Sequence, residues 1–98
     1  MKKELENLIH ESIQSSKILK TAELGAVKVE IIRTKSPKYG EYSCNIALQL
    51  AKMLDLDPLN IADEIVKNIE KIEDIKKTKV APPGFINFYL SESKKNEV

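Results

Sequence analysis

The sequence predicts an α+β fold of two layers: a small, largely antiparallel sheet with helices on one face, in the order α-β-(β)-α-α-β-β. Three observations carry this. Apolar residues recur at helical spacing in three segments and alternate at strand spacing in the others. Two strand-like runs near the end are separated only by Pro82-Pro83-Gly84, too short for a parallel crossover, so that pair must be antiparallel. Finally, 98 residues at 42% hydrophobic and 32% charged suit one thin core rather than two. Helices buried against one face of a sheet hide both the helical stripes and that face.

Each element follows from its own pattern. Leu5, Leu8, Ile9, Ser12, Ile13 and Ser16 form a stripe that predicts a helix over about residues 2–19. Gly25 breaks the chain after it. In VKVEIIR, Val27, Val29 and Ile31 alternate with Lys28, Glu30 and Ile32, the signature of a half-buried strand. Ser36-Pro37 and Gly40 are turn chemistry, and Gly40 can take a positive φ that its neighbours resist. Glu41-Tyr42 returns as a short second strand, and Ser43 is placed to cap a helix. Ile46, Ala47, Leu50 and Leu54 form that helix's inner stripe, ending near Asp55. Asp57-Pro58 starts a third helix, with Asp as cap and Pro at the first position, where no hydrogen bond is lost. Ile61, Ala62, Ile65, Val66 and Ile69 carry it to about residue 71. KKTKVAPPGFINFYL then reads as two strands around a tight turn, with Ile86, Phe88 and Leu90 toward the helices. The domain is expected to span residues 1–91, with 92–98 a polar, frayed tail or linker.

Composition excludes several function classes. A single cysteine, Cys44, rules out an internal disulfide and a cysteine-based zinc site, and is expected to be a small filler at a helix start. A single histidine, His10, leaves little for acid–base chemistry. The acidic pairs Asp63–Glu64 and Glu73–Asp74 sit in a helical stretch or at its end, where solvated charge is the ordinary role. The sequence thus offers no catalytic residue, metal site or cofactor site, and no membrane-length apolar run. A reducing, cytoplasmic setting follows.

The net charge of +1 hides a pattern. Over residues 26–53, Lys28, Arg33, Lys35, Lys38 and Lys52 outweigh Glu30 and Glu41, after a neutral first 25 residues. Residues 54–74 are strongly acidic, and the last quarter is basic again. If the basic segments share a face, that face suits phosphates. Tyr39, between Lys38 and Gly40, is expected to project; it either packs over a lysine stem or stacks on an unpaired base. Tyr42 is expected to be mostly core. Phe85, Asn87 and Tyr89 share the second face of the last strand, where packing is the simpler reading. Asn45 caps or braces the preceding loop. Lys76, Lys77 and Lys79 either solubilise an edge strand or meet phosphates.

Two stretches, KYGEYSCNIALQLAKMLDLDPLNIADEIVKNI and, some ten residues later, KVAPPGFINFYLS, together resemble the amino-terminal additional domain of arginyl-tRNA synthetase. The likeness covers about residues 25–91 and rests on an aromatic-Gly-acidic-Tyr turn, an Asn soon after it, a Pro-started helix and a Pro-Gly-Phe-Ile-Asn hairpin. Tyr39 stands where that family usually has Phe, Glu41 where Asp is common, and Pro82 where the hairpin's first Gly falls. The last change fixes φ near about −65° and removes one N–H.

The resemblance implies a non-catalytic, tRNA-binding module that leans on the outer corner of tRNA-Arg and touches its D-loop. Its other partner would be the synthetase's catalytic domain. It implies Tyr39 as the stacking or packing aromatic on the turn shaped by Gly40, Ser36 and Glu41 as polar contacts to an unpaired nucleotide, Asn45 as a brace, and Lys35 and Lys38 on backbone phosphates. ATP and arginine would bind the catalytic domain, which this chain does not contain: the paired histidines of a class I signature cannot be assembled from one. A monomer suffices. The alternative is a protein-interaction module docking through the acidic helix 58–71.

Overall fold

A computed structural model describes residues 1–20 and 28–91. Three helices and four strands follow in the expected order: α1 (Lys2–Ser15), β1 (Ile31–Arg33), β2 (Tyr42–Cys44), α2 (Ile46–Leu54), α3 (Pro58–Asn68), β3 (Ile75–Ala81) and β4 (Phe85–Leu90). The sheet runs β1-β2-β4-β3 with every neighbouring pair antiparallel. The α+β class and the bracketed second strand are therefore present.

The stripe of α1 is buried as its spacing requires, with Leu5, Ile9 and Ile13 fully enclosed. The helix ends four residues earlier than its periodicity suggests because Ser16 leaves helical geometry (φ −89°, ψ 127°). The Ser16 hydroxyl donates to a Glu64 carboxylate oxygen at 3.0 Å and accepts from the Leu19 amide at 3.2 Å. Ser12 donates to the Ile65 carbonyl, so two buried serines stitch α1 to α3. Glu64 is thereby a structural acceptor, which corrects its reading as solvated charge.

The first strand keeps its alternation but shrinks to three residues, with Val29 and Ile31 buried and Ile32 exposed. Val27, the Gly25 breaker and the 92–98 tail lie outside the described residues. Ser43 does not cap α2: it sits in β2 opposite Asn87, and Asn45 takes the cap position without a side-chain cap bond. At the other end, Asp55 adopts φ 55°, a left-handed stop that Asp tolerates better than most residues.

Asp57 caps α3 as expected, its Oδ1 accepting from the Leu59 amide at 2.9 Å with Pro58 in the first turn. This helix stops at Asn68, short of residue 71, because Ile69 is extended. The β3–β4 hairpin closes through Pro82–Gly84, and that turn packs close to Pro58 and Leu48. Ile86, Phe88 and Leu90 are all buried, and Ile86 and Phe88 join Ile31, Cys44, Ile46, Leu50, Ile61 and Ile65 in the core. Tyr42 is half-buried against the same cluster. Helices therefore cover one face of the sheet and leave the other open.

Candidate nucleic-acid interface

Between β1 and β2 the chain must reverse, and local chemistry fixes how. The Thr34 amide donates to the Glu41 carbonyl at 3.1 Å, and the Thr34 hydroxyl donates to the Gly40 carbonyl, closing the loop. Inside it, Pro37–Tyr39 form one 3-10 turn. Ser36 holds its start: its carbonyl accepts from the Tyr39 amide at 3.0 Å and its hydroxyl from the Lys38 amide at 3.3 Å.

Gly40 has φ 78°, and a Cβ there would lie 2.4 Å from the Phe88 carbonyl oxygen. No side chain fits that approach, so the turn lies directly on β4. Glu41 then extends the β2–β4 pairing. Its amide donates to Phe88 O at 2.9 Å, and its carboxylate accepts from the Leu90 amide at 2.8 Å. A side chain thus takes an amide that the next main-chain pair would have satisfied. The sequence reading gave Glu41 a contact to nucleotide; the structure gives one of its oxygens a place in the sheet.

The same turn is pinned from a second side. The Tyr89 hydroxyl donates to the Lys38 carbonyl, and the Lys77 ammonium sits 4.7 Å from the Tyr89 ring centre. Tyr39 is left 47% exposed, with the Lys38 ammonium 5.8 Å from its ring centre. Cation and aromatic face are therefore presented together.

The predicted residues divide into two hollows. Lys35, Ser36, Gly40 and Glu41 line a small one of about 200 Å³, joined by Arg33. Tyr39 lines a larger depression of about 390 Å³ on the open sheet face, with Ile32, Thr34, Ser43, Phe85 and Asn87. Lys38 is exposed on the turn. Asn45 stands apart: its side chain accepts from Gln49 at 3.2 Å, and Gln49 also donates to the Lys28 carbonyl at 3.2 Å. Asn45 thus braces α2 against the approach to β1.

Asn87 is the residue that sequence reasoning passed over. It is only 4% exposed, yet it lies on the open face, and its carboxamide makes no hydrogen bond among the described residues. The signal was available, a lone amide between Phe85 and Tyr89 in an otherwise apolar strand. Its importance depended on the register that sets Ser43 and Lys79 on either side of it. A side-chain amide offers a donor and an acceptor in one plane, the pattern that reads a base edge.

Other chemistry is sparse. Burial raises the Cys44 thiol to about 11, so the sulfur stays protonated at neutral pH. Among the described residues no group of three or more His, Cys, Asp or Glu could hold a metal, and no helix is long and apolar enough to cross a membrane.

Comparison with known proteins matches residues 3–90 to the family described as the arginyl tRNA synthetase N terminal domain. The arginine–tRNA ligase of Bacillus licheniformis is 39% identical over 92 residues, covering 93% of this chain and 16% of that protein. The cytoplasmic arginine–tRNA ligase of Xenopus tropicalis is 36% identical over 91% of this chain and 15% of its own length. Among solved structures, the arginyl-tRNA synthetase of Plasmodium falciparum superposes with TM-score 0.75 at 25% identity, over 94% of this chain and 16% of that one. The Thermus thermophilus enzyme shares the fold, with TM-score 0.72. The chain thus spans about 16% of the length of such relatives.

Proposed function

The chain belongs to the arginyl-tRNA synthetase N-terminal domain family, and we propose that it serves such a synthetase by holding an unpaired nucleotide of tRNA-Arg on its open sheet face, in the D-loop at the outer corner. The observation that carries this reading is the Asn87 carboxamide, unpartnered among the described residues, in a depression walled by Tyr39, Phe85 and Ile32. A base stacked on Tyr39 or Phe85 would offer its edge to Asn87, while Lys35, Lys38 and Lys79 meet backbone phosphates. Ser36 and Glu41 act mainly by building the turn.

The domain contributes binding and orientation. Aminoacylation, with ATP and arginine, belongs to the catalytic domain that would be its second partner. The setting is cytoplasmic and the domain monomeric. Stacking and a few phosphate contacts supply only a few kcal/mol, so affinity in isolation is weak.

An NMR titration of the labelled domain with a tRNA-Arg transcript, at low and moderate salt, tests this. Shifts clustered on residues 34–41 and 85–89 that fade as salt rises are expected. Shifts that spare residues 34–41 and 85–89, or an absence of any at near-millimolar RNA, would refute the reading.

A further inference from the structure

The acidic stretch 54–74 contains two cations, Lys67 and Lys71. They line a groove of about 540 Å³ between the end of α3 and β3, opposite Lys76 and Lys77. Its apolar surface comes from Ile69, Ile72 and Ile75, and Glu70 is the one acid lining it; Glu73 and Asp74 lie in the turn beyond. Lys67, Lys71 and Lys76 are exposed and make no ion pair among the described residues.

We infer that this groove is a second contact for the same RNA, taking a run of sugar–phosphate backbone beyond the nucleotide held on the open face. The inference rests on the proposed tRNA-binding role. Charge is the first argument: four lysines and one acid line the same concave surface beside three isoleucines, and a phosphate backbone is the partner that such an excess of cations suits. Continuity is the second. Lys77 lines the groove and also lies over Tyr89, whose hydroxyl holds the turn that presents Tyr39. Lys77 therefore links the turn, the β3 edge and the groove. Capture of a protein strand is disfavoured at the same edge, because β3 shifts register between Ile75 and Lys77 and carries lysines that discourage strand pairing.

The test is the salt dependence of binding of the 98-residue chain to a tRNA-Arg transcript. A K67Q/K71Q/K76Q variant, with an unchanged thermal melt, is expected to bind about tenfold more weakly at low salt. Its slope of log affinity against log salt should be shallower by about 2 units, at about 0.7 per lost contact. Unchanged affinity and slope, alongside weakened binding by N87A and Y39A, would overturn the groove and leave the open-face reading standing. Loss in the lysine variant with none in N87A or Y39A would support the groove and remove the nucleotide site. No binding by the unaltered chain would overturn both.

Discussion

The two faces of the four-stranded sheet are made by the same residues in alternation, yet they do different work. On the covered face Cys44, Ile86 and Phe88 are fully buried. One step along each strand, Ser43, Phe85 and Tyr89 are only half-buried, and Ile32 is 47% exposed. The covered face supplies apolar burial, at about 25 cal/mol per Å². The open face supplies shape and polar groups around a depression. Stability and binding should therefore separate cleanly by strand parity, except at the Gly40 turn, where the two faces are coupled through β4.

The largest effect should come from the covered face. Phe88→Ala is expected to cost about 3–5 kcal/mol, measured by urea denaturation, and in a domain this small that amounts to unfolding. Gly40→Ala should follow at about 2–3 kcal/mol, since the new Cβ meets the Phe88 carbonyl at a positive φ. A loss below about 0.5 kcal/mol there would show that the turn does not lean on β4.

Tyr39→Ala inverts the pattern. Stability should change by less than about 0.5 kcal/mol, while tRNA binding by a full synthetase weakens by about 1–3 kcal/mol. Equal losses in both would erase the distinction between the faces. Glu41→Ala should cost about 1–2 kcal/mol of stability, because the Leu90 amide loses its acceptor; the hydrogen-exchange rate of that amide reports it directly.

The last effect is one of pH and belongs to the covered face. The Cys44 pKa is raised to about 11 by burial. The folded state then keeps its proton where the unfolded chain has lost it. This stabilisation is fully present below about pH 9 and is lost as pH rises toward 11. Folded protein should accordingly resist alkylation at pH 8 and react readily only when unfolded; rapid reaction of the native chain would show that Cys44 is not enclosed.

Much of the fold was legible because each element carries its own local signal. Asp57-Pro58 names a helix start by capping chemistry, and Ile86, Phe88 and Leu90 name a core face by period alone. The boundaries were less legible. Where α1 ends, the Ser16 hydroxyl donates a hydrogen bond to Glu64, 48 residues away, and no local pattern reports such a partner. In the candidate site, Tyr39 and Gly40 were recognisable from turn chemistry. The tie of Glu41 to Leu90 and the exposure of the Asn87 amide to a hollow were not, since both depend on strand pairing.

The sequence by itself determined the class, the order of elements and the family, because periodicity, caps and short motifs are properties of neighbours along the chain. Only the tertiary structure decided which residues meet. It set Asn87 and Tyr39 around one depression, tied Tyr89 to Lys38, and brought Lys67 of α3 and Lys71 just beyond it to the lysines of an edge strand. The physical reason is that strand register and helix packing fix contacts between residues dozens of positions apart, and a binding surface is made of such contacts.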